Sequence, residues 1–248
     1  MRGNSGANLQ FAGDFVLKQC SNACQQVEWF GHASVAGLVD GVRLPYVELV
    51  NANSYKIEYI RGYSATQITS VQDFARLVKL VGQWEKQPAA SSGDWDGYLQ
   101  RLEDHVRVSN SEEMVAGLAL ASRYELPSSF AQGDLTLENV LVENDGGMVL
   151  IDPNFAPDLF QSWLLDYGKL LQSVHSDYHR IFNSSPGSNP QPLLNYLRGH
   201  LVKEGIWQLA LVAELTHIMR LRKYRPQEEW PKVDRILEGL VREIQTTI

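Results

Sequence analysis

The sequence predicts an α+β fold of two lobes, a small β-rich amino-terminal lobe and a larger helical carboxy-terminal one. Three observations lead there. Strand-like apolar runs crowd the region before residue 62, apolar side chains recur at three- and four-residue steps from Ser70 onward, and one short hairpin interrupts the helical part. The length of 248 residues suits one or two domains on a prior of about 150 residues each. We divide the chain into a lobe over 1–62 and a helical lobe over 63–248.

The first run, 11–18 (FAGDFVLK), follows a Gly/Ser/Asn turn cluster and is rich in β-formers. Ser21 then offers an N-cap for a helix over 22–39. Runs 43–50 and 54–60, separated by Asn51-Ala-Asn53, read as a hairpin, and Arg61-Gly62-Tyr63 as a short link. Val71, Phe74, Leu77, Val78 and Val81 line one face of the next helix. Pro and Ser mark loops over 86–97 and 183–192. Between them, apolar strands 140–142 and 148–151 flank the turn residues Asn144-Asp-Gly-Gly147.

Composition narrows the function. Lys and Arg number 22 against 29 Asp and Glu, a net charge of −7, with 44% hydrophobic and 21% charged residues. That balance excludes disorder and argues against a sequence-independent nucleic-acid binder, whose affinity requires a basic footprint. No apolar stretch approaches the roughly 20 residues that cross a bilayer, and MRGNSGANLQ lacks the apolar centre of a secretory signal. A cytoplasmic protein without membrane or nucleic-acid partners is expected. Cys20 and Cys24, with no second pair of thiols or imidazoles at metal spacing, read as reduced and partly buried. Trp84, Trp95, Trp163, Trp207 and Trp230 read as packing residues.

The chemistry concentrates around the second hairpin. Gln132-Gly-Asp-Leu-Thr-Leu-Glu-Asn139 stands before it and Ile151-Asp-Pro153 after it. A hairpin brings its two ends together, so Asp134, Asn139 and Asp152 converge. Two carboxylates and an amide oxygen form a hard-oxygen site suited to Mg²⁺, which keeps waters and takes substrate phosphates as its remaining ligands. Phosphoryl transfer uses such a site. An Asp followed five positions later by an Asn is commonplace by itself; the helix before it, the hairpin after it and the closing Ile-Asp give the pair its meaning.

With these motifs the chain resembles the protein-kinase-like superfamily, in its aminoglycoside and choline phosphotransferase-like branch. QGDLTLEN resembles the catalytic loop, IDP the metal-binding segment and VLK at 16–18 the strand that carries the phosphate-binding lysine. Gly3-Asn-Ser-Gly-Ala7 resembles the branch's phosphate loop, Glu58-Tyr-Ile60-Arg-Gly62 the hinge whose backbone meets adenine, and Leu165-Asp166-Tyr-Gly a helix start whose Asp braces the catalytic loop. The resemblance implies a two-lobed protein-kinase-like fold with ATP and Mg²⁺ as cofactors. It implies Asp134 as the carboxylate acting on the acceptor, Asn139 and Asp152 as metal ligands, and Lys18 on the α and β phosphates. It further implies Glu28 holding Lys18, Asn4 and Ser5 in the phosphate loop, Glu58 and Ile60 at adenine, and Asp166 as a brace. Two departures stand out. Gln132 replaces the family's usual His, so the loop brace must be remade by an amide or lost. Pro153 replaces the Phe-Gly of protein kinases, which argues for a constitutive small-molecule enzyme.

The expected activity is transfer of phosphate from ATP to a hydroxyl of a small polar metabolite, sugar-like compounds first and amino alcohols or aminoglycosides second. A nucleotide-binding pseudokinase and nucleotidyl transfer to a protein are the alternatives, the first opposed by the intact Lys18, Asp134, Asn139 and Asp152. Asp94, Asp96, Glu103 and Asp104 favour a cationic acceptor if they face it, whereas Arg220, Arg222, Lys223 and Arg225, the densest positive cluster, favour an anionic one. A helix carboxy terminus, whose dipole attracts cations, is the plain explanation of that cluster.

Overall fold

The computed structural model describes residues 7–109, 111–183 and 189–247. Strands β1 (Asn8–Ala12) and β2 (Phe15–Gln19) form an antiparallel hairpin whose turn needs Gly13 at φ 66°. The single run expected over 11–18 is therefore cut in two, because Gly13 and Asp14 supply a turn inside it. Helix α1 (Ala23–Ala36) follows, shorter than expected at both ends, since Gly37 at φ 86° leaves the helical region.

Strand β3 (Val42–Arg43) departs from the expected hairpin; it leaves β4 (Val47–Asn51) and β5 (Ser54–Glu58) to pair with each other. The first sheet runs β1-β2-β5-β4. A second sheet runs β3-β8-β7-β6, built from β6 (Gly62–Ser64), β7 (Val140–Glu143) and β8 (Met148–Leu150). Its parallel β3–β8 pairing, Val42 opposite Met148, stitches the early chain onto the hairpin of the helical part.

Helix α2 (Val71–Trp84) starts at Ser70, whose hydroxyl caps the Asp73 amide, and buries the predicted face of Phe74, Leu77, Val78 and Val81. Then come α3 (Trp95–Ser109), α4 (Glu112–Ala121), α5 (Trp163–Val174), α6 (Tyr178–Asn183), α7 (Gln191–Lys203), α8 (Trp207–Leu221) and α9 (Trp230–Thr246). Helices α5 and α8 cross closely at Gly168, where a Cβ would lie 2.7 Å from the Ala213 carbonyl carbon.

The two parts share one core. Trp29 of α1 stacks on Phe130 at 5.7 Å, and Trp84 of α2 meets both rings edge-on. Trp29 Nε1 donates to the Ala131 carbonyl at 2.8 Å, directly ahead of the catalytic-loop motif. Truncating such a buried ring costs about 3–5 kcal/mol, so this aromatic cluster is a main anchor between α1 and the loop. Trp84, Trp95, Trp163 and Trp207 are buried as expected, and Trp230 is half-buried under the Arg222 guanidinium. Both cysteines are free thiols, Cys20 half-buried but Cys24 exposed. Among the described residues no helix is long and apolar enough to cross a membrane.

Candidate active site

The catalytic-loop motif is shaped by the first turn of α5. Asp166 is completely buried there, and its two oxygens accept the Gln132 amide at 2.7 Å and the Gly133 amide at 2.8 Å. Burial pushes Asp166 up to about 7, against the two N–H groups that favour its charge. Gly133 turns the chain at φ 79°, and a Cβ on it would sit 2.4 Å from the Asn154 carbonyl oxygen, so no other residue fits without movement. The Asn154 amide in turn donates to the Gln132 carbonyl at 3.0 Å. Loop and metal-segment motifs are thereby zipped side by side.

Gln132 completes the zipper with its side chain. Its Oε1 accepts the Asp134 amide at 2.6 Å, and its Nε2 donates to the Ile151 carbonyl at 2.9 Å. An amide carries a donor and an acceptor, as a neutral imidazole does, so the brace that the departure from His put in doubt is remade.

At the hairpin's open end, Asp134, Asn139 and Asp152 come together with two lysines. Asn139 Nδ2 donates to the Asp134 carbonyl at 2.8 Å and to Asp134 Oδ2 at 2.9 Å. Lys169 of α5 approaches Asp134 Oδ1 at 2.9 Å. Lys18, buried on β2, reaches Asp152 Oδ1 at 2.5 Å, and Asp152 stands in the left-handed region at φ 50°. That backbone geometry is uncommon for a non-glycine residue and marks a constrained position.

The expected Lys18–Glu28 pair is not formed. Glu28 is exposed on α1 and meets His32 at 3.6 Å. The reason is helical phase: α1 buries Gln26, Trp29, Phe30 and Ala33, and two residues beyond Gln26 is about 200° around the helix, on the opposite face. Gln26 takes the inward place instead, donating to the Pro153 carbonyl at 3.3 Å and accepting from the Tyr55 hydroxyl at 2.6 Å.

At the hinge, the Glu58 and Tyr59 amides are taken by the Tyr46 and Asp14 carbonyls at 2.9 and 2.8 Å. Ile60 is buried, and its backbone groups have no hydrogen bond among the described residues. The Glu58 carboxylate is bound by Arg43, which bridges to Glu143 as well, at 2.8 and 2.7 Å. The Arg43 guanidinium holds Glu58 below the usual carboxylate range, so the Glu58 side chain is a strut between strands. Asn4 and Ser5 lie outside the described residues.

A cavity of about 280 Å³ opens beside the catalytic loop, between α3 and the end of α8. Gly133 and Asn154 line it, together with Tyr98, Arg101, His105, Arg220 and Lys223. Of the acidic residues that the sequence offered, only Asp104 lines this cavity. Asp94 and Asp96 border a separate depression with Arg123 and Tyr124, and Glu103 pairs with Arg107 at 2.8 Å. Arg222 and Arg225 are tied up by Asp234 at 2.5 Å and Glu229 at 3.5 Å.

The donor set suits magnesium. Among the described residues no group of three His, Cys, Asp or Glu could hold a metal unaided. Asn139 Oδ1 and the second oxygen of Asp152 are hard oxygen atoms, a sparse set of the kind that could hold Mg²⁺ together with water and phosphate. Gln26, Lys169, Arg220 and Lys223 were not assigned places here by the sequence, apart from the open reading of the positive cluster. The partners of Gln26, Lys169 and Arg220 lie far along the chain, and no local spacing announces them.

No family model and no curated protein matches the sequence. Solved structures do match. An aminoglycoside phosphotransferase, APH(4)-Ia, in ternary complex with AMP-PNP and hygromycin B superposes with TM-score 0.60 at 11% identity, over 96% of this chain and 94% of that one. A choline/ethanolamine kinase family protein from Mesorhizobium loti gives 0.60 at 15% identity over 96% and 84%. LicA in complex with AMP gives 0.60 at 13% identity over 98% and 90%. The chain has the two-lobed α+β fold that these structures share, as the QGDLTLEN and IDP motifs implied.

Proposed function

We propose that the chain is an ATP- and Mg²⁺-dependent phosphotransferase acting on a hydroxyl of a small polar metabolite, sugar-like acceptors first and amino alcohols or aminoglycosides second. The observation that carries the reading is the meeting of Asp134, Asn139 and Asp152 at one end of the β7–β8 hairpin with Lys18 on Asp152. The nucleotide complexes among structures of the same fold support it.

In this reading residues 1–62 form the nucleotide lobe and 63–248 the lobe of catalysis and acceptor binding. Asn139 and Asp152 hold Mg²⁺, which when bound neutralises charge on the β and γ phosphates. Lys18 offers a buried ammonium to the α and β phosphates, while Asn4, Ser5 and the Glu58–Ile60 hinge receive the rest of the nucleotide. Glu28, turned to solvent, takes no part in holding Lys18. Asp134 accepts the acceptor's hydroxyl proton, the acceptor oxygen bonds to the γ phosphorus, and the bond from that phosphorus to the leaving ADP oxygen breaks. Lys169 keeps Asp134 oriented from behind, and Asn139 orients its other oxygen.

Labelled ATP tests the proposal. The γ phosphoryl label moves to a small acceptor in the presence of Mg²⁺. Movement of an α label into protein would replace phosphoryl by nucleotidyl transfer, and nucleotide binding with no label moved would leave a pseudokinase.

A further inference from the structure

We infer that the cavity between α3 and α8 binds an oxyanion on the acceptor, a carboxylate or a phosphate ester, through Arg220 and Lys223, so the substrate is a hydroxylated acid. This deepens the proposed function and rests on it for the acceptor's hydroxyl, though not for the anion.

Charge arrangement carries the inference. The cavity draws three fixed cations, Arg101, Arg220 and Lys223, against one carboxylate, Asp104, in a chain whose net charge is −7. Two of the four cations at the end of α8 are neutralised by carboxylates, Arg222 by Asp234 and Arg225 by Glu229. The two that face the cavity are not: Arg220 lies 6.0 Å over the Tyr98 ring and Lys223 lies 5.7 Å over the Tyr224 ring, with no ion pair to a described carboxylate. A helix end needing cations for its dipole would not distinguish these pairs. Arg220 is half-buried and feels Asp134 at longer range, while Lys223 is exposed; an incoming oxyanion adds charge-assisted hydrogen bonds to both, bidentate at the guanidinium.

The surroundings agree. His105 is pushed below its ordinary value first by burial and then by Lys223 and Arg220, against Asp104, which raises it. Gly133, which lines the cavity together with Arg220, is next in the chain to Asp134, so the anion site lies beside that carboxylate. At about 280 Å³ the cavity lies near the lower end of the roughly 300–1,000 Å³ typical of ligand sites. It suits a compact metabolite, and its charge repels polycations.

Calorimetry on the full chain tests this without relying on turnover, with glycerate, gluconate and glucose 6-phosphate as the acids and glucose and glucosamine as uncharged and cationic counterparts. At least one acid binds roughly tenfold or more tightly than glucose, and Arg220→Gln and Lys223→Met each weaken it about tenfold or more. Gluconate against glucose 6-phosphate separates carboxylate from phosphate. Because Arg220 is half-buried, the exposed Lys223→Met remains decisive if Arg220→Gln melts early, and Arg123→Gln in the other depression serves as the unaffected control. No acid binding, tighter binding of glucosamine, or acid affinity unchanged in both variants overturns the inference. Phosphoryl transfer is scored separately: acids bound through Lys223 but never phosphorylated keep the oxyanion site and remove the kinase reading.

Discussion

Replacing Gln132 with Leu isolates the brace between the two halves of the site. The side chain is completely buried and holds the Asp134 amide and the Ile151 carbonyl at 2.6 and 2.9 Å. Leucine preserves nearly the same volume, so little cavity forms. Each lost bond removes about 0.5–1.5 kcal/mol, and a partner left without water costs nearer 1–3 kcal/mol. Both partners are only partly buried, so the sum is about 2–4 kcal/mol of folding stability. The activity effect is separate. Asp134 and Asp152 flank the two bonded groups, and a displacement of about 1 Å between reacting parts can cost 10²-fold in rate. Urea unfolding measures the first term and steady-state kinetics with ATP and Mg²⁺ the second, the loss falling on kcat. Gln132→His retains one donor and one acceptor and recovers most of both. A leucine variant within about 0.5 kcal/mol and twofold of wild type would refute the brace.

Four further outcomes follow from the same geometry. Asp152→Asn removes the ligand charge and abolishes Mg²⁺-dependent nucleotide turnover while the fold stays cooperative by thermal melting; wild-type turnover would contradict the assignment. Lys18→Ala leaves Asp152 without its partner and weakens ATP affinity about tenfold or more by calorimetry, and an unchanged affinity transfers the phosphate role to another cation. Asp134→Ala retains Mg·ATP binding and loses phosphoryl transfer by at least about 10²-fold, whereas loss of binding would reassign Asp134 to the metal. The last concerns pH. Burial alone would lower His175, but Glu214 and Glu243 outweigh it and raise it to about 9 from an ordinary 6.5. Its contribution to stability is therefore complete below about 6.5 and lost as pH rises through about 9. Asp166, also raised, has lost its contribution by about pH 7, so a fall in melting temperature between about pH 7 and 9 that is absent in His175→Gln belongs to the imidazole.

Local pattern made part of this molecule legible. Helix α2 was readable because one apolar face and a serine cap repeat the same message. The hairpin was readable because strand, turn and strand are contiguous, which pairs Asn139 with Ile151, whereas the Asp134 loop is held beside Asp152 by Gln132 and Asp166. Helix α1 was not readable to the same degree. Exposed Val35 and half-buried Val27 blur its apolar stripe, so spacing could not distinguish Glu28 from Gln26 as the inward residue. Strand β3 was misread because its partner lies more than a hundred residues away and two residues carry no periodicity.

The same limit explains why the positive cluster divides as it does. Arg220, Arg222, Lys223 and Arg225 are equivalent as text, four cations at the end of one helix. Tertiary structure breaks the equivalence: α9 brings Asp234 to Arg222, the short turn before it brings Glu229 to Arg225, and α3 brings Tyr98 rather than a carboxylate to Arg220. Carboxylates satisfy the cations that brace α8 against its neighbours, and an aromatic face meets the one beside the catalytic loop. Tyr98 engages the guanidinium without neutralising it, and five N–H donors leave others for a planar oxyanion. Arg220 thus keeps a charge that Asp134 feels only at longer range, in the cavity that Gly133, the neighbour of Asp134, also lines.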